Sequence, residues 1–139
     1  MGQQDSSGGA YRLWRQAGGR GAFAEVQVEV VKTGDQGPPE VAWSVDPSDS
    51  TSAQPDLDPE NVAAAFAGVS EVLDALAAMG VETQGRVVYL THVGINLVDT
   101  EPTAVRAAAG AATAASFNKM ESFEVVFDAG WQCRPKSIN

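Results

Sequence analysis

The chain has 139 residues, of which 44% are hydrophobic and 19% are charged, a balance typical of one globular domain and not of a disordered chain. Its 18 acidic and 9 basic residues give a net charge of -9, which opposes non-specific binding to phosphate backbones because that binding depends on lysine and arginine contacts. The single cysteine, Cys133, cannot form an internal disulfide, and no basic leader or apolar run of membrane length is evident, so we expect a soluble, cytoplasmic protein with no membrane partner.

The N-terminal third predicts a tail followed by two strands. Residues 1–10 are polar and rich in glycine and serine, which is typical of a flexible tail. A glycine cluster around Arg20 precedes residues 23–31, where apolar and polar side chains alternate as in a half-buried antiparallel strand. The turn-rich residues 32–39 separate this strand from a second alternating run at 41–45, so we expect the two strands to pair as a hairpin.

The middle of the chain predicts an acidic loop and an amphipathic helix. Residues 46–58 contain aspartate, serine and proline without the spacing of a calcium-binding loop, so we expect a solvated loop. Asp58 suits the N-cap of a helix and Pro59 its first position. Apolar residues then recur at spacings of three and four until Gly80 ends the helix: Val62, Phe66, Val69, Leu73 and Leu76.

Residues 86–117 form the segment around which the rest is organised. Val87 to Thr91 favour a buried strand. Asp99, Thr100 and Glu101 then suit a helix start, and the alanine-rich residues 103–117 predict a helix that packs very closely on a sheet, because alanine is small and strongly helix-forming. Residues 123–127 alternate as a last strand, which gives the order β-β-α-β-α-β of an α+β fold.

Two segments of this chain, the glycine-rich residues 15–26 and the strand, turn and helix start between Leu90 and Ala112, carry a pattern of a known family. They resemble domain IV of elongation factor G and its ribosomal-protection relatives in the translational GTPase family. Residues 15–26 (RQAGGRGAFAEV) are similar to the Q-S-G-G-R-G opening of that domain. The strand, turn and helix start that follow some seventy residues later match the family at Leu90, Gly94, Val98, Asp99, Thr100, Ala104, Ala107, Ala108 and Ala112.

The resemblance implies a fold and a division of the chain. The fold would be a two-layer α/β sandwich in which two helices cover one face of a four-stranded sheet, with a left-handed βαβ crossover that departs from the usual right-handed rule. The domain would span residues 11–130, between an N-terminal tail at 1–10 and a C-terminal tail at 131–139. In that family the GTPase domain is separate, and this sequence has no G-x-x-x-x-G-K-[ST] motif, so we expect a domain without enzymatic activity or cofactor.

The resemblance also implies which residues meet the ribosome. In the family the tip of domain IV enters the decoding site, and the corresponding tip here is residues 92–97, HVGINL. Ile95 and Leu97 make this tip more apolar than the family pattern, which has histidine and glutamate where Asn96 and Leu97 stand. The residues expected to contact the ribosome or RNA are Arg15, Gly18, Gly19, Arg20, His92, Gly94 and Asn96.

Three functions remain open on the sequence alone. The first is a translation-factor-like domain that contacts the ribosome or a translation factor and meets nucleic acid only through a local basic cluster of Arg12, Arg15 and Arg20. The second is a protein-binding module that kept the fold and lost the ribosomal role. The third is an enzyme with a site around His92, Asp99 and Glu101, which would require a concave pocket. One histidine and one cysteine predict no metal site.

Overall fold

A computed structural model describes residues 6–17, 20–96 and 98–136, and for residues 16, 17 and 20 it describes the backbone alone. The elements follow one another as β1 (Ser6–Ala17), β2 (Arg20–Lys32), β3 (Glu40–Trp43), α1 (Pro59–Ala78), β4 (Arg86–Gly94), α2 (Pro102–Ser116), a 3-10 helix (Met120–Ser122), β5 (Phe123–Phe127) and β6 (Trp131–Pro135). A four-stranded mixed sheet and two helices give an α+β fold of the two-layer α/β sandwich type, as the sequence predicts.

The four-stranded sheet has the order β1-β2-β4-β3. The β1–β2 and β2–β4 pairs are antiparallel, and β3 pairs in parallel with β4. Helix α1 therefore connects the parallel neighbouring strands β3 and β4, which gives a βαβ crossover. The left-handedness of this crossover stays a prediction. Because Val26 pairs with Val93 and Val28 with Leu90, the buried side chains of the two central strands lie on one face.

The predicted pairing of strands is wrong in two places. Residues 23–31 and 41–45 do not form a hairpin, since β2 pairs with β1 and β4 while β3 pairs with β4 alone. The predicted last strand is present as β5, but it pairs with β6 in a separate two-stranded sheet. Alternation of apolar residues identifies the buried face of a strand and leaves its neighbour unspecified, which explains both errors.

Both predicted tails are partly ordered into strands. Ser6–Ala10 belongs to β1, which pairs with β2 along its whole length, and residues 131–135 form β6. Backbone pairing supplies the order here, because glycine and serine have little strand preference of their own. Residues 1–5 and 137–139 of the predicted tails lie outside the described part of the chain.

Helix α2 lies at the centre of the molecule, and eleven of its fifteen residues are buried. It packs on β1 and β2, on α1 and on the β5–β6 pair. The approach to β1 is so close that a Cβ atom at Gly9 would overlap the carbonyl oxygen of Ala112 and lie 2.6 Å from the Ser116 nitrogen. Gly68 of α1 is equally constrained against the carbonyl oxygen of Arg106. The tight packing predicted from the small side chains is confirmed.

Helix α1 starts and ends where the sequence predicts. Pro59 is its first residue, and Gly80, with φ of 87°, follows the C-cap residue Met79. Asp58 occupies the N-cap position but makes no capping hydrogen bond with its side chain, and instead accepts one from the Gln54 backbone nitrogen. Phe66 stacks on Trp43 of β3 at 6.4 Å between ring centroids, which joins the helix to the sheet.

By length and composition α1 is also apolar enough to cross a membrane, with a mean hydropathy of 1.3 in its most apolar window. Its apolar residues are nevertheless used inside the domain, since Val69, Leu73 and Leu76 are buried. Gly68 and Glu71 meet α2 directly, the latter through a salt bridge with Arg106. This packing is that of a core helix in a small soluble domain.

Candidate functional site

The two sequence segments that carry the family resemblance meet at one end of the molecule. The Phe23 nitrogen donates to the carbonyl oxygen of Asp99 at 3.0 Å, and the Thr100 hydroxyl donates to the carbonyl oxygen of Phe23 at 2.8 Å. A Cβ atom at Gly21 would lie 3.3 Å from a carboxylate oxygen of Asp99. We call this region the loop end; it comprises the end of β1 and the start of β2 around Trp14 and Phe23, the end of β4 from His92, residues 95–96 and 98–101, and the acidic loop at 46–58.

An exposed aromatic corner stands on the open face of the sheet at the loop end. Trp14 and Phe23 face each other across the β1–β2 pair and meet edge to face, with ring centroids 6.2 Å apart. The Arg12 guanidinium carbon lies 4.6 Å from the Trp14 ring centroid and 5.7 Å from that of Phe23, which is cation–π geometry. Trp14 remains 68% exposed, an unusual position for the largest apolar side chain.

His92 on β4 joins the acidic loop to the sheet. Its Nδ1 atom lies 3.1 Å from Oδ2 of Asp49. The other oxygen of Asp49 accepts hydrogen bonds from the hydroxyl and the backbone nitrogen of Thr51. These two bonds are the main reason that the pKa of Asp49 lies below its usual value, and His92 adds a smaller effect in the same direction. The aspartate is therefore held as an anion beside the histidine.

Ser52 makes the second attachment of the acidic loop. Its hydroxyl accepts a hydrogen bond from the Val93 nitrogen at 3.0 Å, and the Ala53 nitrogen donates to the Val93 carbonyl oxygen at 2.7 Å. The loop is thus an ordered part of the loop end. The D-x-S and D-x-T patterns at 46–48 and 49–51 are typical of aspartates that close short turns, and could have predicted an ordered loop. Sequence reasoning missed the pairing of His92 with Asp49, for which the sequence carries no local signal.

Two clefts lie side by side at the loop end. The first has a volume of about 420 Å³ and the second of about 500 Å³. They share a wall of Thr51, Ile95 and Asn96. The first is also lined by Trp14, Phe23, Glu25, His92, Gly94 and Asp99. The second is also lined by Pro47, Ser48, Asp49, Ser50, Ser52, Gln54, Leu57 and Asp58.

Among the basic residues predicted to contact RNA, Arg15 is used within the fold. One of its guanidinium nitrogens donates to the Val125 carbonyl oxygen and the other to the Tyr11 hydroxyl, both at 2.8 Å. Arg15 therefore ties β1 to β5. Gly18 and Gly19 lie outside the described residues, and so does the side chain of Arg20. A role of these residues in ribosome contact stays a prediction.

The predicted tip is partly strand and partly turn. His92 and Gly94 belong to β4 rather than to a loop, and Leu97 lies outside the described residues. The side-chain oxygen of Asn96 accepts hydrogen bonds from the backbone nitrogens of Val98 and Asp99 at 2.9 Å and 2.7 Å. The side-chain oxygen of Asn96 therefore closes the turn that leads into α2.

The residues considered for a catalytic set in the third alternative, His92, Asp99 and Glu101, make different contacts, and an enzymatic role stays a prediction. His92 pairs with Asp49, whereas Glu101 accepts a hydrogen bond from the Thr103 hydroxyl at 2.9 Å. Asp99 does line the same cleft as His92. Within the described residues, no group of three histidine, cysteine, aspartate or glutamate side chains is placed to hold a metal ion.

Comparison with known proteins gives a structural likeness alone. No family model and no curated protein matches the chain. Among solved structures, the crystal structure of a protein from Thermus thermophilus is similar, with a TM-score of 0.67 and 15% sequence identity. The match covers 84% of this chain and 16% of the Thermus chain, so this chain spans less than a fifth of that protein's length. At this identity the likeness shows the fold.

Proposed function

We propose that this chain is a non-catalytic domain of the translation-elongation-factor type that contacts the ribosome or a translation factor through the loop end, and that it works in the cytoplasm. The proposal is carried by one observation. The two segments that resemble domain IV of elongation factor G are far apart in sequence, yet Phe23, Asp99 and Thr100 bring them into direct hydrogen-bonded contact. A shared recognition surface would account for the presence of both family-like patterns in the same chain.

The rest of the domain suits the role of a rigid support. Helix α2 starts at the loop end and is buried between the sheet, α1 and the β5–β6 pair, with no room for a methyl group at Gly9 or Gly68. Interiors packed to this density deform little. Loops mounted on such a frame keep their position when a partner approaches, so less conformational entropy is lost on binding.

The proposal is tested by co-sedimentation of the purified chain with ribosomes over a range of salt concentrations. Trp14→Ala removes the exposed ring at the loop end, and Met79→Ala is the matched control because Met79 is an exposed apolar residue, 41% accessible, at the far end of α1. We expect the wild type and Met79→Ala to sediment at low salt and Trp14→Ala to remain in the supernatant. Absence of sedimentation at the lowest salt, or equal loss in both variants, would refute the proposal.

A protein-binding module without a ribosomal role is the second candidate. It is favoured by the exposed apolar side chains at the loop end, where Trp14, Leu57 and Val98 are 68%, 76% and 88% accessible, because clusters of this kind mark sites of protein contact. It predicts no sedimentation with ribosomes under any salt condition, together with capture of a soluble protein that Trp14→Ala fails to capture.

A further inference from the structure

We infer that the loop end binds a basic protein segment with apolar side chains, and not the phosphate backbone of RNA. This inference rests on the proposed function, since it names the chemical class of the partner that the loop end contacts. Four observations at this end carry it: the sign of the charges that line the clefts, the positions of the nearby arginines, the aromatic corner and the clustering of exposed apolar residues.

The described residues that line the two clefts carry carboxylates and no lysine or arginine. Glu25 and Asp99 line the first cleft, and Asp49 and Asp58 line the second. The whole chain carries a net charge of -9, so long-range attraction also favours a cationic partner. A phosphate backbone approaching the same surface would meet like charge at short range.

Two of the arginines near the loop end are held by the protein itself. Arg15 donates to Val125 and Tyr11. Arg12 stacks over the rings of Trp14 and Phe23 and lies opposite Glu25 in the β1–β2 register. Neither arginine lines either cleft, so a phosphate group lying in the clefts would meet carboxylates and no guanidinium group of the described residues. Arg12 instead shows that the aromatic corner accepts a guanidinium group on its rings.

The apolar component follows from where exposed hydrophobic side chains occur. Five large hydrophobic residues in the described part of the chain are exposed, and three of them stand at the loop end: Trp14, Leu57 and Val98. Trp14 and Leu57 each line one of the two adjoining clefts, which meet at Ile95 and Asn96. A segment lying across both clefts would place apolar side chains on these residues and cationic side chains beside the carboxylates.

The test uses fluorescence anisotropy of a labelled synthetic peptide of alternating arginine and leucine, titrated with the full chain. Two further probes are the same peptide with glutamate in place of arginine and a single-stranded oligouridylate. We expect the basic peptide to bind in a salt-sensitive manner and the other two probes to bind at least about tenfold more weakly. Tighter binding of the oligouridylate than of the basic peptide would overturn the inference in favour of RNA.

Matched variants locate the binding site. Glu25→Gln and Trp14→Ala are expected to weaken peptide binding about tenfold each. Glu82→Gln, which makes the same charge change at an exposed position just before β4, is expected to leave it unchanged. Circular dichroism melting establishes that each variant is folded. Equal binding by the Glu25→Gln, Trp14→Ala and Glu82→Gln variants would place the peptide elsewhere and overturn the inference.

The same variants separate this inference from the proposed function. One outcome is that the wild type sediments with ribosomes, Trp14→Ala does not, and the basic peptide fails to bind. In that case the inference is overturned and the proposed function stands. If the peptide binds with the expected pattern and no ribosomes sediment the chain, the proposed function is overturned, and the basic segment belongs to a partner outside the ribosome.

Discussion

Side-chain size is used in opposite ways at the α2–β1 contact and at the loop end. Between α2 and β1, glycine and alanine bring two backbones together with no space for an added methyl group at Gly9. At the loop end, Trp14 and Val98 extend into solvent and are 68% and 88% accessible. At the α2–β1 contact the small residues leave no space between the two elements for another molecule. At the loop end the large residues leave apolar surface exposed to solvent. Stability therefore depends on the first region, and recognition is expected of the second.

The largest expected effect comes from comparing one charge placed in the buried core with one placed at the loop end. Val69→Asp puts a carboxylate at a fully buried position of α1, which costs several kcal/mol, so we expect no cooperative unfolding transition in urea. Val98→Asp makes the same change at the loop end, where 88% of the residue is accessible. Its unfolding midpoint should match that of the wild type. A normal unfolding curve for Val69→Asp would contradict the burial of α1.

Alanine substitutions at the neighbouring glycines Gly8 and Gly9 test the α2–β1 contact, because each adds a single methyl group. Gly9→Ala would force α2 away from β1, because the new Cβ would overlap the carbonyl oxygen of Ala112. We expect a loss of about 3 kcal/mol or more in the free energy of unfolding, the upper range for overpacking. Gly8→Ala is the control, since its Cβ would lie at an ordinary 3.7 Å from the Val28 carbonyl oxygen. Equal midpoints for both variants in urea would mean that the contact is looser than described.

The difference between the two regions also explains how much the sequence could predict. The alanine run predicts α2 within one residue at each end, because alanine determines both the helix and its close packing. The partner of β2 could not be predicted, since the alternation of Ala24, Val26 and Val28 specifies a buried face and no neighbour. β1 was missed because Ser6–Ala10 becomes strand through pairing with β2.

The candidate site was less accessible to sequence reasoning than the fold. The resemblance pointed to two segments of the loop end, but the hydrogen bond between Phe23 and Asp99 is a tertiary contact that no local sequence pattern predicts. The pairing of His92 with Asp49 joins residues that are 43 positions apart, and no local pattern relates them. Arg15 was assigned to RNA contact by resemblance, yet its guanidinium is occupied by the Val125 carbonyl and the Tyr11 hydroxyl.

Cys133 provides a chemical probe of the packing around α2. Burial raises the pKa of its thiol to about 12, and the charge of Glu71 acts in the same direction. We expect the native chain to react with iodoacetamide at pH 8.5 far more slowly than the chain in urea, because the thiolate is the reactive form. Equal rates in the two states would show that the thiol is not protected.

The same shift predicts how alkaline pH affects stability. The unfolded thiol ionises near its ordinary pKa of 9.0, while the folded thiol, with its pKa raised to about 12, keeps its proton up to that pH. Between those values the unfolded state binds fewer protons, so stability falls as the pH rises through this window. Cys133→Ala should show a shallower loss of stability over the same window, measured as urea midpoints from pH 9 upward. Parallel curves for the two proteins would contradict the raised pKa.

The smallest expected effect lies at the loop end, where Asp49 attaches the acidic loop. The pKa of Asp49 is lowered, chiefly by the Thr51 hydroxyl and backbone nitrogen and to a lesser extent by His92. The hydrogen-bonded anion is therefore present above the unfolded carboxyl's pKa and is lost as the pH falls through the lower folded value. Asp49→Asn removes the anion at every pH. We expect its urea midpoint to stay close to that of the wild type, because a single ion pair that is still partly in contact with solvent contributes little to global stability.

The effect of Asp49→Asn should appear in local opening instead. Hydrogen exchange at residues 46–54 is expected to be faster in the variant than in the wild type at pH 7, while exchange within α2 stays the same. Thr51→Val, which removes the hydroxyl and keeps the backbone nitrogen, should produce a weaker acceleration in the same segment. If exchange also accelerates in α2, the acidic loop contributes to the stability of the core. That result would contradict the view that the loop end is attached to a rigid domain without stabilising it.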